Sequence, residues 1–144
     1  MGNRRKSREL ALQILYQIDI SRENARDALD LFWQNFKGLE RSREFTEKLV
    51  EGVYNHKEEI DRLIEECSEN WRLKRMSRVD RSILRLAIFE LFYCKDVPAK
   101  VTLNEAIDLG KKFGSEKSGS FINGILDRIS ADIVKDRNDS RETE

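Results

Sequence analysis

The first eight residues concentrate positive charge. They contain four basic side chains and no acidic one, namely Arg4, Arg5, Lys6 and Arg8. The chain as a whole has 27 Lys and Arg residues against 27 Asp and Glu residues, so its formal net charge is zero. Clustered cations neutralise the phosphates of a nucleic acid. The opening run therefore indicates a polyanion-binding patch on an otherwise neutral molecule.

An aromatic side chain is predicted to lie beside this basic run. Residues 7–20 carry apolar side chains at helical spacing, and a helix turns by about 100° per residue. The apolar stripe then centres on Ile14, and Tyr16 falls almost opposite, on the solvent side with Arg8. Arg5 joins them if the helix extends back to it. Arginines beside an exposed ring suit single-stranded RNA, because an unpaired base stacks on the ring. An ordinary amphipathic tyrosine next to a solvated terminus is an equally good interpretation at this point.

A second basic segment, rich in hydroxyl groups, lies at residues 111–118 between two predicted helices. Backbone N–H groups at a helix N-terminus favour phosphate, which makes Lys117 and Ser118 candidate RNA ligands. Phe121 lies at the edge of the apolar stripe of the helix that follows. Viewed alone, plain helix caps and a phenylalanine at the edge of the core explain this segment better.

A strip of basic side chains runs along the segment 77–94 and consists of Arg78, Arg81 and Arg85. Such a strip is usually a solvated helix face. Phe89 prolongs the strip, and this favours a contact with a protein partner.

Signals of catalysis are weak. His56 is the only histidine, and it has no partner at ligand or triad spacing. Cys67 and Cys94 fit no metal or redox motif, and the glycines between residues 110 and 119 lack the phosphate-loop pattern. We therefore expect no enzymatic activity, no cofactor and no metal. No apolar run reaches membrane-spanning length and no signal peptide is evident, so a cytoplasmic protein without a membrane partner is expected.

Apolar periodicity predicts seven helices, which begin near residues 7, 25, 42, 57, 77, 102 and 118. Ser42 is a plausible N-cap, and Thr102 with Glu105 forms a capping-box pattern. The segment 77–94 is apolar around most of its circumference, which predicts a central, buried helix. These features predict a compact all-α bundle in one domain, residues 1–134, with its helices packed around this segment. The polar residues 135–144 are expected to form a disordered tail.

Three parts of the chain together resemble the NusB family of bacterial transcription antitermination factors. They are residues 5–19 (RKSRELALQILYQID), residues 79–91 (VDRSILRLAIFEL), and a series that runs from Val97-Pro98 through Asn104-Glu105-Ala106-Ile107 and Lys112-Phe113-Gly114 to residues 121–127 (FINGILD). The resemblance covers almost the whole chain apart from residues 21–45 and the tail. It implies an all-helical fold of two three-helix sub-bundles that share a core.

The resemblance also implies a function. Members of the family bind the boxA element of ribosomal RNA leader transcripts together with NusE, a small-subunit ribosomal protein, and so help RNA polymerase to read through terminators. Matched by motif, the RNA-binding residues are Arg4, Arg5, Arg8, Tyr16, Lys117, Ser118 and Phe121, to which the basic run adds Lys6. The implied NusE surface comprises Tyr16, Lys74, Asp80 and Arg85. Lys74, Lys117 and Ser120 depart from residue types that are common in the family.

Two other readings stay open beside this one. NusB-like domains also precede methyltransferases that modify ribosomal RNA, but this chain has no cofactor-binding βαβ unit and is expected to be a stand-alone protein. A helical scaffold that binds only protein would have no RNA affinity from its basic N-terminus. Whether the chain forms a homodimer is left open by the sequence.

Overall fold

Seven α-helices account for most of the chain. The computed structural model describes the backbone of residues 2–68 and 72–142 and the side chains as far as residue 132. The helices are α1 (Gly2–Ser21), α2 (Ala25–Asn35), α3 (Glu40–Asn55), α4 (Lys57–Cys67), α5 (Arg78–Tyr93), α6 (Ala99–Phe113) and α7 (Ser118–Glu142). A 3-10 turn, Leu73–Arg75, precedes α5. The described residues contain no β-strand, so the predicted all-α fold is confirmed.

Helix α5 is the centre of the molecule. It packs against α1 and α3 on one side and against α4, α6 and α7 on the other. Helices α1, α2 and α3 contact one another, while α7 contacts both α4 and α6. All residues from Ser82 to Leu91 are buried, including Arg85 and Glu90. The expected pair of three-helix sub-bundles around a central buried helix is therefore confirmed.

Local sequence signals located some helix starts correctly and others wrongly. The Ser77 hydroxyl accepts a hydrogen bond from the backbone N–H of Asp80 and caps α5. The predicted caps Ser42 and Thr102 are wrong, because α3 begins at Glu40 and α6 begins at Ala99, directly after Pro98. A proline is compatible with this position because its ring fixes φ and it has no N–H to leave unsatisfied.

The two terminal helices are longer than predicted. Helix α1 begins at Gly2 instead of near residue 7, so it includes the whole basic run. Helix α7 continues to Glu142 instead of ending near residue 134. The side chains beyond residue 132 and the whole of residues 143–144 lie outside the described residues, so the disorder of residues 135–144 stays a prediction.

The contact between α3 and α5 depends on a glycine. A Cβ atom built on Gly52 would overlap the ring of Phe89, which is buried in the centre of α5. A Cβ atom built on Gly124 in α7 would meet no atom within 4 Å. The two glycines lie in helices but differ in the space around them, so they form a matched pair for substitution.

We expect Gly52→Ala to lower the free energy of unfolding by about 1–3 kcal/mol, because a buried ring must shift to admit the methyl group. Gly124→Ala should raise it by about 0.5–1 kcal/mol, because alanine favours the helix. Urea denaturation monitored by circular dichroism measures both changes. A stability for Gly52→Ala equal to or above that of the parent chain would contradict the close packing of α3 on α5.

Candidate RNA-binding surface

The N-terminal turns of α1 place two arginines on the surface. Arg4 and Arg5 each reach across to a carboxylate near α6, with Arg4 Nη2 at 2.9 Å from Asp96 Oδ2 and Arg5 Nη2 at 3.0 Å from Glu105 Oε1. These contacts border an open hollow of about 640 Å3, which is also lined by Pro98. We call it the arginine hollow. Exposed ion pairs contribute at most about 1 kcal/mol each, so an incoming phosphate can replace either carboxylate at low cost.

Arg8 also lines the arginine hollow, but its side chain is buried, so its predicted place on the solvent side with Tyr16 was wrong. Its side chain is 4% exposed and forms two-pronged hydrogen bonds with Glu90 of α5, which is 2% exposed, at distances of 2.8 and 3.0 Å. The prediction failed because the buried arc of α1 is wider than the stripe around Ile14. Leu12 and Leu15, one and two turns beyond Arg8, are buried as well.

Two opposing effects act on the carboxyl group of Glu90 in its pair with Arg8. Burial raises the pKa of the Glu90 carboxyl above its usual range, while the hydrogen bonds and charge of Arg8 oppose this shift. The Arg8 guanidinium also lies over the ring of Phe45 in α3. Arg8 is thus held by both α3 and α5, which gives it the role of orienting α1. With Nε and Nη2 bound to Glu90 and only 4% of the side chain exposed, Arg8 offers little surface for direct RNA contact.

Helices α1 and α6 form a groove with two exposed aromatic rings. Tyr16, 38% exposed, and Phe113, 45% exposed, line it together with Lys6 and Lys112. We call this the α1–α6 groove, and its volume is about 450 Å3. Lys112 Nζ forms an ion pair with Glu9 at 2.8 Å. Stacking rings between cations match the requirements of unpaired bases and their phosphates.

The prediction for Tyr16 and Lys6 therefore agrees with the geometry, but two residues of this groove were missed. Lys112 and Phe113 were considered only as part of a basic turn. The missed signal is a phenylalanine in the last position of a helix directly before a glycine, where the helix end exposes it.

The second predicted basic segment forms the end of α6 and the turn that leads into α7, and it borders a separate hollow of about 590 Å3. We call it the α5–α7 hollow; its lining includes Arg75, Asp80, Lys117 and Phe121. Lys117 is exposed and Phe121 is half-buried against the core. Ser118 is buried, and its hydroxyl accepts a hydrogen bond from the backbone N–H of Ser115 at 2.8 Å. The hydroxyl of Ser118 thus closes the turn, and the structure does not present it to a ligand.

The residues expected to face a protein partner also include both accessible and buried side chains. Lys74 is exposed in the 3-10 turn, and Asp80 is half-buried in the α5–α7 hollow. One carboxylate oxygen of Asp80, Oδ1, is buried without a hydrogen-bond partner among the described residues. This oxygen is suited to accept a hydrogen bond from a bound molecule.

Arg85 and Phe89 were wrongly expected on the surface. Arg85 is 7% exposed and donates to the carboxylate of Asp61 in α4, with distances of 2.7 and 3.1 Å. Phe89 packs on Gly52 and is buried. A basic strip on an isolated helix looks solvated, but Asp61 of another helix pairs with Arg85 in the interior, while Arg78 of the same strip stays exposed. Charge reversal at Arg85 would therefore disturb the fold, and a loss of partner binding in that variant would not identify a partner surface.

Comparison with known proteins identifies the family of this fold. The sequence profile of the NusB family matches residues 5–131. The chain belongs to the NusB family. The transcription antitermination protein NusB of Syntrophus aciditrophicus is 52% identical over 142 residues, which cover 99% of this chain and 88% of that protein. The NusB of Anaeromyxobacter dehalogenans (strain 2CP-1) is 51% identical over 141 residues, which cover 97% of this chain and 99% of its own.

Solved structures of the NusB family show the same architecture. T. maritima NusB superposes with a TM-score of 0.81 at 38% identity, covering 89% of this chain and 90% of that one. A chain from the crystal structure of antitermination factors NusB and NusE in complex with dsRNA superposes with a TM-score of 0.78 at 33% identity. That alignment covers 90% of this chain and 96% of the other. The resemblance noted in the sequence is thus confirmed.

Among the described side chains, no group of three or more His, Cys, Asp or Glu residues has the geometry to hold a metal ion. Within the part of the chain that the structure describes, no helix is long and apolar enough to cross a membrane.

Proposed function

We propose that this protein is a transcription antitermination factor that binds boxA-type RNA of ribosomal RNA leaders together with NusE, and so promotes read-through by RNA polymerase. Two comparisons support the proposal. Relatives that are about half identical in sequence are transcription antitermination proteins. A chain with the same fold occurs in a solved complex of NusB and NusE with dsRNA.

The observation that carries the RNA-binding part is the arrangement of exposed residues along α1. Arg4 and Arg5 in the arginine hollow are followed along the helix by Lys6 and Tyr16 in the α1–α6 groove. An α-helix rises about 1.5 Å per residue, so these side chains span about 18 Å of one helix. Cations at one end and stacking rings at the other suit an extended RNA strand that lies along α1.

Lys117 and Phe121 extend this surface on the far side of the α6–α7 turn. Only three residues lie between Phe113 in the α1–α6 groove and Lys117 in the α5–α7 hollow. We assign direct RNA contacts to Arg4, Arg5, Lys6, Tyr16 and Lys117, with Phe121 at the margin. Arg8 and Ser118 act by positioning. The protein acts by binding, and we assign it no catalytic activity.

A protein scaffold without RNA affinity is the second candidate, and it makes the opposite prediction for a surface variant. We expect the double variant Arg5→Ala/Tyr16→Ala to bind boxA RNA at least tenfold more weakly than the parent chain. One lost base stack alone is worth about 1–3 kcal/mol. Fluorescence anisotropy with a labelled boxA RNA at fixed salt measures the change.

The matched control for this experiment is Arg62→Ala/Phe36→Ala, which removes an exposed arginine and an exposed ring from α4 and from the α2–α3 connection. This control should bind RNA like the parent chain. Equal RNA affinity of the Arg5/Tyr16 variant and the parent would favour the scaffold and refute the RNA surface.

The NusE surface is best tested at Asp80. We expect Asp80→Ala to reduce capture of the chain by immobilised NusE, because a buried carboxylate oxygen in the α5–α7 hollow loses the chance to accept a hydrogen bond from the partner. Loss of one such charged hydrogen bond corresponds to about tenfold or more in affinity.

Asp27→Ala is the control for helix stability in this test. Asp27 follows the N-cap Asn24 of α2 at the same spacing as Asp80 follows the N-cap Ser77, and its own N–H is capped in the same way. Unchanged NusE capture by Asp80→Ala would remove Asp80 from the proposed interface.

A further inference from the structure

A fourth cavity lies at the C-terminal end of α1, where α1 meets the first turns of α4 and α5. Its volume is about 520 Å3. Five of the side chains that line it are cationic, namely Arg22, Lys57, Arg78, Arg81 and Arg85. Only two, Asp19 and Glu23, are carboxylates. We call this cavity the α1-end pocket, and its charge is the reverse of what the acidic helix α4 alone would suggest.

Two of these cations are neutralised inside the protein. Arg81 Nη2 lies 2.6 Å from Asp19 Oδ2, and both side chains are largely buried. Arg85 is bound to Asp61, as described above, and its Nη1 lies 3.6 Å from Asp19 Oδ1. These ion pairs lie in the buried part of the pocket lining.

The other three cations are left at the mouth of the pocket. Arg78 is 48% exposed, and its closest carboxylate is 3.8 Å away on Asp19, which Arg81 already occupies. Arg22 and Lys57 are exposed and form no ion pair within the described residues. Glu23 is the only other carboxylate in the lining, so the mouth carries an excess of positive charge.

The pKa of the Asp19 carboxyl is consistent with this excess of positive charge. Burial alone would raise the pKa of its carboxyl, but hydrogen bonding to Arg81 and the charges of Arg81, Arg85 and Lys57 outweigh burial and lower the pKa below its usual value. The carboxylate stays charged and still does not compensate all the cations around it.

The backbone conformation of Arg22 is a second, independent indication that the α1-end pocket binds a ligand. Arg22 has φ of 61°, the left-handed conformation, and is the one non-glycine residue with positive φ in the described chain. Its N–H closes α1 by donating to Ile18 O at 2.8 Å. Glycine or asparagine adopts this conformation readily, whereas other residues pay about 1–2 kcal/mol. Strain of this kind is concentrated at functional positions, and here it places an arginine beside two other unneutralised cations.

The α1-end pocket continues the proposed RNA surface. Asp19 follows Tyr16 by three residues, and side chains at this spacing are neighbours on a helix surface, about 5–6 Å apart at Cβ. Arg78 is adjacent in sequence to Val79, which lines the α1–α6 groove. A strand that stacks a base on Tyr16 therefore has the α1-end pocket as the next cavity along α1.

We propose that the α1-end pocket binds a backbone phosphate of the same RNA strand, outside the part that stacks in the α1–α6 groove, through Arg22, Lys57 and Arg78. The inference rests on the proposed function, since it concerns the path of the RNA. It adds a sequence-independent contact for nucleotides that flank boxA.

The test compares two single-stranded RNAs, boxA alone and boxA extended by several uridines at both ends. The variant is Arg22→Asn/Arg78→Gln, in which asparagine tolerates the left-handed conformation and the pairs of Arg81 and Arg85 stay intact. The control, Lys37→Gln/Arg62→Gln, removes two exposed cations elsewhere. Anisotropy titrations over a range of salt concentrations give the affinity and its salt dependence for each protein and RNA.

We expect the parent chain and the control to bind the extended RNA more tightly and with a steeper salt dependence. The Arg22/Arg78 variant should lose this gain, with a slope of log K against log salt smaller by about 0.7 for each phosphate released. It should bind boxA alone like the parent.

Three results would overturn the inference and leave the proposed function intact. The first is that the parent chain binds the extended RNA no more tightly than boxA alone. The second is that the variant keeps the full gain in affinity for the extended RNA. The third is that the variant loses the same affinity for both RNAs, which would indicate only a general change in the electrostatic field of the protein. If the Arg22/Arg78 variant kept the full gain in affinity for the extended RNA but was captured less well by NusE, the pocket would bind a carboxylate of the protein partner instead. Failure of the parent chain to bind either RNA would reject the proposed function, and the inference with it.

Discussion

The buried ion pair between Arg8 and Glu90 is the interaction on which the rest of the molecule depends. Removing two charges from water at the contact of α1 with α5 is costly, and the bidentate hydrogen bonds between the two side chains compensate for this cost. On the other side of α1, the Ser7 hydroxyl lies 2.8 Å from the carbonyl oxygen of Ser42 in α3. Adjacent residues of α1 are thus tied to different helices, which fixes the rotation of α1 about its axis. That rotation determines which side chains of α1 face outward.

The outward side of α1 connects this constraint to function. With Arg8 turned inward, Arg5, Lys6 and Tyr16 lie on the exposed side, and the α1–α6 groove and the α1-end pocket follow one another along the helix. The chain has no net charge, yet several of its carboxylates pair with cations away from this side, as in the cluster of Arg26 with Asp30, Glu47 and Glu51. The proposed nucleic-acid binding therefore depends on where the charges lie on the surface, and the total charge is uninformative.

Periodicity and capping rules predicted the helices and the central position of α5, because apolar spacing is a local property. They also placed Tyr16 on the surface correctly. They failed where a residue's partner is distant in sequence. Arg8 and Arg85 are buried because Glu90 and Asp61 approach from other helices, and one sequence gives no means of pairing these charges. Glu105, assigned to a capping box with Thr102, instead accepts hydrogen bonds from Arg5 of α1.

A double-mutant cycle on the free energy of unfolding, with Arg8→Met and Glu90→Leu, tests the central claim most directly. Each single change leaves a buried charge without its partner, so we expect losses of about 3–5 kcal/mol for each. The double variant should be more stable than either single variant, because an apolar pair of similar size replaces the ions. Losses that simply add, with the double variant the least stable, would contradict the account that this pair holds α1 in place.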